Sequence, residues 1–299
     1  MTLKYAFELL LLAAIWGASF IFMRIGSPEF GPFLYMAVRT LTASMFLLPL
    51  VFITKKQGDL KGFKTKIFIV GLFNTAIPFV LFGYAILTLS GGLTSVLNAT
   101  TPMFGAIVAY FWFREKMTIV TSSGLLIGFI GVYLLMFDKI TLGQQNILLP
   151  TLAALLASLC YGISASYTKK YLTGLSSIAL AAGSQIASTL VLLPISLFFI
   201  PEQVPSNLAI VSVILLGVLC TGIAYIIFFH LIANLGPTKA ISVTYLIPAF
   251  GLFWGSVFLN EVITTSMIIG CGFILTGVAL STGVIKTKSR VNSGLNEKV

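Results

Sequence analysis

Hydrophobic positions along the chain gather into long runs, and short polar or Gly/Pro-containing stretches separate them. The runs predict helices over 5–25, 31–53, 67–89, 91–113, 118–137, 148–168, 175–200, 207–231, 237–259 and 264–285. Each is long enough to cross a hydrocarbon core of about 30 Å, and lengths near twenty residues suit helices rather than barrel strands. No connection exceeds roughly a dozen residues, so no room is left between spans for a separate folded domain. The pattern therefore predicts an all-α polytopic membrane protein with ten transmembrane helices. The first run follows Lys4 as a signal peptide would, but it exceeds the usual apolar length and further spans follow it, so it is read as retained.

Composition strengthens this reading. Of the 299 residues, 58% are hydrophobic and 9% charged, against roughly 25% charged in a soluble domain. The net charge of +10 would suggest nucleic acid in a soluble protein. Here the cations cluster at span ends and in a basic tail over 286–299, so the lipid bilayer is the expected partner and nucleic acid is not. With a cytoplasmic N-terminus, fifteen of the eighteen basic residues face the cytoplasm; Arg24 and Lys139 fall outside and Arg39 lies within the second span. The positive-inside rule then predicts both termini in the cytoplasm. Cys160, Cys220 and Cys271 fall inside spans, where they read as reduced packing residues.

An internal repeat divides the spans. An offset of 146 lays Gly71 on Gly217, Pro102 on Pro248, Phe104 on Phe250, Gly105 on Gly251, Glu115 on Glu261, Gly124 on Gly270 and Gly131 on Gly277. Nearer the N-terminus the offset is 145, pairing Gly17 with Gly162, Ser19 with Ser164 and Leu47-Leu48-Pro49 with Leu192-Leu193-Pro194. The expected units are 1–139 and 146–285. Five spans per unit is an odd number, so the second unit enters the membrane from the opposite side. Two inverted copies can exchange conformations at little energetic difference, which suggests alternating access.

Three strings carry a family resemblance: Trp16-Gly17-Ala18-Ser19-Phe20, the run Thr100-Thr101-Pro102-Met103-Phe104-Gly105-Ala106 ending at Arg114-Glu115, and Tyr245-Leu246-Ile247-Pro248 ending at Glu261. With the duplicated spans they resemble the EamA-type ten-helix transporters of the drug/metabolite transporter superfamily, over residues 5–285. The resemblance implies a bacterial plasma-membrane carrier, often an exporter of amino acids or related metabolites, with a central cavity built from both halves.

Candidate cavity residues follow from depth and polarity. Trp16 and Tyr161 lie near mid-span, away from the interfacial belt; they line a cavity or pack helix faces. Tyr84 and Tyr245 are weaker candidates of the same kind. Pro78, Pro102 and Pro248 each free the carbonyl four residues earlier, at Asn74, Asn98 and Thr244, which points to the third, fourth and ninth helices as cavity wall or as simple kinks. Asn74, Asn98, Thr101 and Gln185 offer uncharged polar groups for a zwitterion or for interhelical hydrogen bonds.

Arg39 is the one strongly ionisable residue well inside a span. It could pair with a substrate carboxylate. Its outward depth also allows snorkelling, carbonyl bonding or pairing with Glu261, and a structural role is favoured. Glu115 and Glu261 sit at helix ends, where capping or gating is expected. His230, the only histidine, could couple to protons.

No midplane carboxylate and no nucleotide-binding loop occur in the sequence, so proton relay through a carboxylate and direct ATP drive are disfavoured, and no cofactor, metal or enzymatic activity is expected. The expected partner is a small neutral or zwitterionic solute. Export of metabolites such as amino acids is the leading reading; import or exchange on the same scaffold, and a non-transporting assembly role, are the alternatives.

Overall fold

The computed structural model describes residues 3–114, 117–141, 146–235, 240 and 242–283. Every regular element among them is helical. Eight helices are long and apolar enough to span a bilayer: α1 (Leu3–Phe30), α2 (Pro32–Ile53), α3 (Lys64–Thr88), α4 (Gly91–Phe113), α5 (Ile119–Phe137), α6 (Leu148–Tyr171), α7 (Ser177–Phe199) and α8 (Asn207–Ile232). Two shorter apolar helices, α9 (Val243–Leu259) and α10 (Thr265–Ser281), complete the ten. A short helix, Gln57–Gly62, occupies the connection between α2 and α3. Gly31, at φ 71°, turns the chain between α1 and α2, and Pro32 opens α2, where its missing N–H costs nothing.

The halves interlock. α1 packs against α8 and α9 of the other half; α6 packs against α3 and α4; α2 lies on α7 and α5 on α10. Small residues carry these crossings at matching positions. A Cβ added to Gly17 would stand 2.6 Å from Phe250 Cβ and 3.0 Å from the Gly251 nitrogen, and one on Gly162 would stand 2.8 Å from the Gly105 nitrogen. Likewise Gly71 backs onto Ser184 and Ala187, while Gly217 backs onto Arg39 and Thr42. Gly124 meets Gly277 as Gly131 meets Gly270. Each contact reappears when both partners are moved by the sequence offset. The ten-helix, two-fold inverted arrangement is thus built on backbone-to-backbone approach, which is how helices associate where lipid removes the hydrophobic drive.

The proline positions interrupt helices in different ways. α3 carries a π-helical turn over Leu72–Ala76 immediately before Pro78, with the Ile77 N–H bonding the carbonyl of Leu72. α4 is broken by a turn at residues 99–100, after which Pro102 opens a new helical segment. α9 starts as a 3₁₀ turn, Ser242–Tyr245, and becomes α-helical at Ile247–Leu259 with Pro248 in its first turn. A second π turn, Val218–Ile223, lies in α8, where the equivalent of Pro78 is Ala224. Arg114 and Asn260 end α4 and α9 in the left-handed conformation at φ 54° and 51°, again at equivalent positions. Cys160, Cys220 and Cys271 are buried and unpaired.

Candidate substrate-binding centre

Where α1, α2, α3 and α8 converge, an arginine is enclosed. Arg39 keeps only 7% of its surface accessible. Its guanidinium stacks 3.5 Å from the centre of the Phe79 ring, its Nε donates to Thr221 Oγ1 at 3.4 Å, and one terminal nitrogen lies 4.0 Å from the sulfur of Met23. Tyr161, Cys220, Tyr225 and Tyr35 lie within electrostatic range. No ion pair to Arg39 is formed among the described residues. An arginine stays charged under all ordinary conditions, so this is a permanent cation with weak partners inside the membrane.

Aromatic rings extend from this point. Phe82 lies 6.0 Å from Tyr161 and, edge-on, 6.0 Å from Phe20. Trp16 is half-buried with its ring centre 5.2 Å from that of Phe228. Asn74, in the π turn of α3, bonds Tyr225 of α8 and so links the halves. Gln185 of α7 is fully buried, and neither its amide nitrogen nor its oxygen finds a partner among the described residues.

Other sequence candidates stand apart. Asn98 and Thr101 flank the break in α4, with Thr101 Oγ1 3.5 Å from Asn98 Oδ1. Beside that break, Ser158 of α6 donates to the carbonyl of Leu97. Pro102 is half-buried and Pro248 buried. Tyr245 bonds Thr282 at 2.9 Å, at the end of the molecule that holds the N-terminus. Tyr84 is 42% exposed on the face it shares with Ile77 and Leu87, both exposed as well. Sequence reasoning did not single out Trp254, whose indole N–H donates to the carbonyl of Ala14 across the α1–α9 contact at 3.0 Å. A half-buried indole mid-helix beside Gly251 and Gly255 was the available signal.

The face formed by the end of α1, the end of α3 and the end of α9 holds a cleft of about 640 Å³, lined by Arg24, Pro28, Thr88, Ser90, Leu93 and Glu261 among others. Both charges act on helix ends. Arg24 donates to the carbonyls of Ile86 and Leu87 at the close of α3, at 2.7 and 2.9 Å. Glu261 accepts from the N–H groups of Gly91 and Gly92 at the start of α4, at 2.7 and 2.9 Å. A cation at a helix C-terminus and an anion at an N-terminus each complement the local dipole. Glu261 is therefore engaged by amides rather than by Arg39. Its repeat partner Glu115 lies outside the described residues. His230 and Glu8 pair at 2.8 Å between the end of α8 and the start of α1.

Comparison with known proteins agrees with this architecture. The model of the EamA-like transporter family matches twice, over residues 3–137 and 148–283. The chain is 28% identical over 274 residues to the uncharacterized transporter YoaV of Bacillus subtilis, covering 90% of this chain and 93% of that protein. It is 27% identical over 283 residues to the WAT1-related protein At3g02690, chloroplastic, of Arabidopsis thaliana, covering 89% of this chain and 66% of the relative. A solved crystal structure shares the fold at a TM-score of 0.65 and 16% identity, covering 95% of this chain and 98% of the other. A multi-pass helical chain that matches one transporter family model over both halves is a membrane transporter, and this chain belongs to the EamA-like transporter family.

Proposed function

We propose that this transporter is an alternating-access carrier that exports small metabolites such as amino acids across a bacterial plasma membrane. The observation that carries the reading is an asymmetry within α4. Its first segment, Gly91–Asn98, is buried against α9 and clasped by Glu261, whereas its second, Thr101–Phe113, buries only Met103. The two inverted units should be interchangeable in shape, so a chain whose α4 is held at its start by Glu261 and less buried along its second segment fits one of two exchangeable states.

In this reading the repeats are 1–139 and 146–285, followed by the basic tail over 286–299, and the lysine asymmetry supports cytoplasmic termini. Trp16, Asn98, Tyr161 and Gln185 contribute to the solute path. The recurring backbone contacts at Gly17 and Gly162 act as paired pivots.

Purified protein in proteoliposomes loaded with a set of labelled amino acids should release some of them saturably. Trp16→Ala and Asn98→Ala should slow that release several-fold while both variants remain folded. Saturable uptake coupled to an opposite gradient would favour import or exchange, and no flux of any solute would overturn the carrier reading.

A further inference from the structure

Repeat symmetry isolates one residue. Moving Arg39 by the offset of 145 gives Ser184, and moving its partner Thr221 back by 146 gives Thr75. The two contact regions are otherwise equivalent, since Gly71 sits on Ser184 as Gly217 sits on the backbone of Arg39. In the second location Ser184 merely bonds the carbonyl of Ala181 in its own helix, and the Thr75 hydroxyl has no partner among the described residues. The same helix crossing thus closes with a serine, so packing does not call for a guanidinium at Arg39.

A cation kept in a span is costly and is retained where something repays the cost. The partners present compensate poorly: one long hydrogen bond, a sulfur and a ring. Five N–H donors are available, and Nη2 makes no hydrogen bond among the described residues. One uncompensated positive charge inside a low-dielectric centre is balanced by one negative charge, which favours a carboxylate over a doubly charged phosphate. The Phe79 ring on the guanidinium, and the row of rings that runs from nearby Tyr161 to Phe82 and Phe20, suit an apolar or aromatic body attached to that carboxylate.

We infer that Arg39 is the anion anchor of the carrier, binding the carboxylate of a solute whose remainder is apolar or aromatic. This rests on the carrier reading above and names the chemical group that its substrates must share. A zwitterionic amino acid or a simple organic acid meets the requirement; an amine, amide or ester of the same shape does not.

The test compares phenylacetate with its neutral isostere phenylacetamide on the full chain in lipid nanodiscs, following tryptophan fluorescence and thermal stability. A charge-assisted bond of about 1.5–3 kcal/mol predicts that phenylacetate half-saturates at roughly ten- to hundredfold lower concentration. Arg39→Gln should abolish that difference and Arg39→Lys should retain part of it. The inference is overturned if the wild-type protein does not distinguish the two probes, a comparison independent of how any variant folds, or if Arg39→Gln still distinguishes them. Proteoliposome flux separates this from the carrier reading. Flux that persists undiminished in Arg39→Gln removes the anchor and leaves the carrier; Arg39-dependent phenylacetate binding without flux of any solute keeps the anchor and removes the carrier.

Discussion

Ser44 of α2 and Thr189 of α7 hold their hydroxyls 3.4 Å apart, and the two residues occupy the same place in the two repeats. A residue that touches its own repeat partner must lie beside the pseudo-twofold axis. That axis runs between α2 and α7, and the paired contacts of the structure are distributed about it.

Gly17 and Gly162 should respond alike to substitution. A methyl group at either meets backbone atoms at 3.0 Å or less, and backbone cannot give way as a flexible side chain can. Gly17→Ala and Gly162→Ala are each expected to cost about 1–3 kcal/mol through overpacking. Gly105→Ala, with nothing within 4 Å of the added Cβ, should be close to neutral. Thermal unfolding of the three variants in detergent checks the order; equal stabilities would contradict the interlocking contact.

Phe79 is the main neighbour of the Arg39 charge. Phe79→Leu keeps apolar bulk and removes the ring quadrupole, and it should lower stability by about 1–3 kcal/mol. Phe79→Tyr, which keeps the ring face, should lose much less. Denaturation midpoints of the two variants decide between a ring effect and a volume effect.

Glu261 holds the start of α4 at the edge of the cleft by accepting two N–H groups that the helix cannot satisfy internally. Glu261→Ala should cost about 2 kcal/mol or more, and Glu261→Gln less, since an amide oxygen still accepts. A cysteine at Thr88 in the cleft should label faster with a membrane-impermeant maleimide in the Glu261→Ala background. Unchanged labelling would limit the carboxylate to capping.

Much of this fold was legible in the sequence, because span length and the 145/146 offset are both properties of the chain itself. The prolines marked where α4 and α9 depart from regular α-helix, but the hydrophobic pattern predicts continuous helices there, whereas Pro102 and Pro248 open new segments after the turn at residues 99–100 and the 3₁₀ turn Ser242–Tyr245. The π turn in α8 was not announced, since Ala224 stands where its repeat partner is Pro78 and nothing local marks the extra residue. α1 runs to Phe30, past the expected end at 25, because it continues through Pro28 to the turn at Gly31. The centre was less legible than the frame. Arg39 stood out as a charge in a span, yet its surroundings depend on Phe79, Met23 and Thr221 from three other helices, at separations no periodicity reveals. Glu261 looked like an end-of-helix carboxylate, and its contact with Gly91 and Gly92 crosses 170 and 169 positions of chain.

Trans-stimulation in proteoliposomes tests the central claim most directly. A carrier whose two inverted halves expose one site alternately returns faster when loaded, so unlabelled solute on the far side should accelerate exit of the same labelled solute and saturate in doing so. Exit that is indifferent to solute on the far side and rises linearly with concentration would contradict alternating access and indicate a pore.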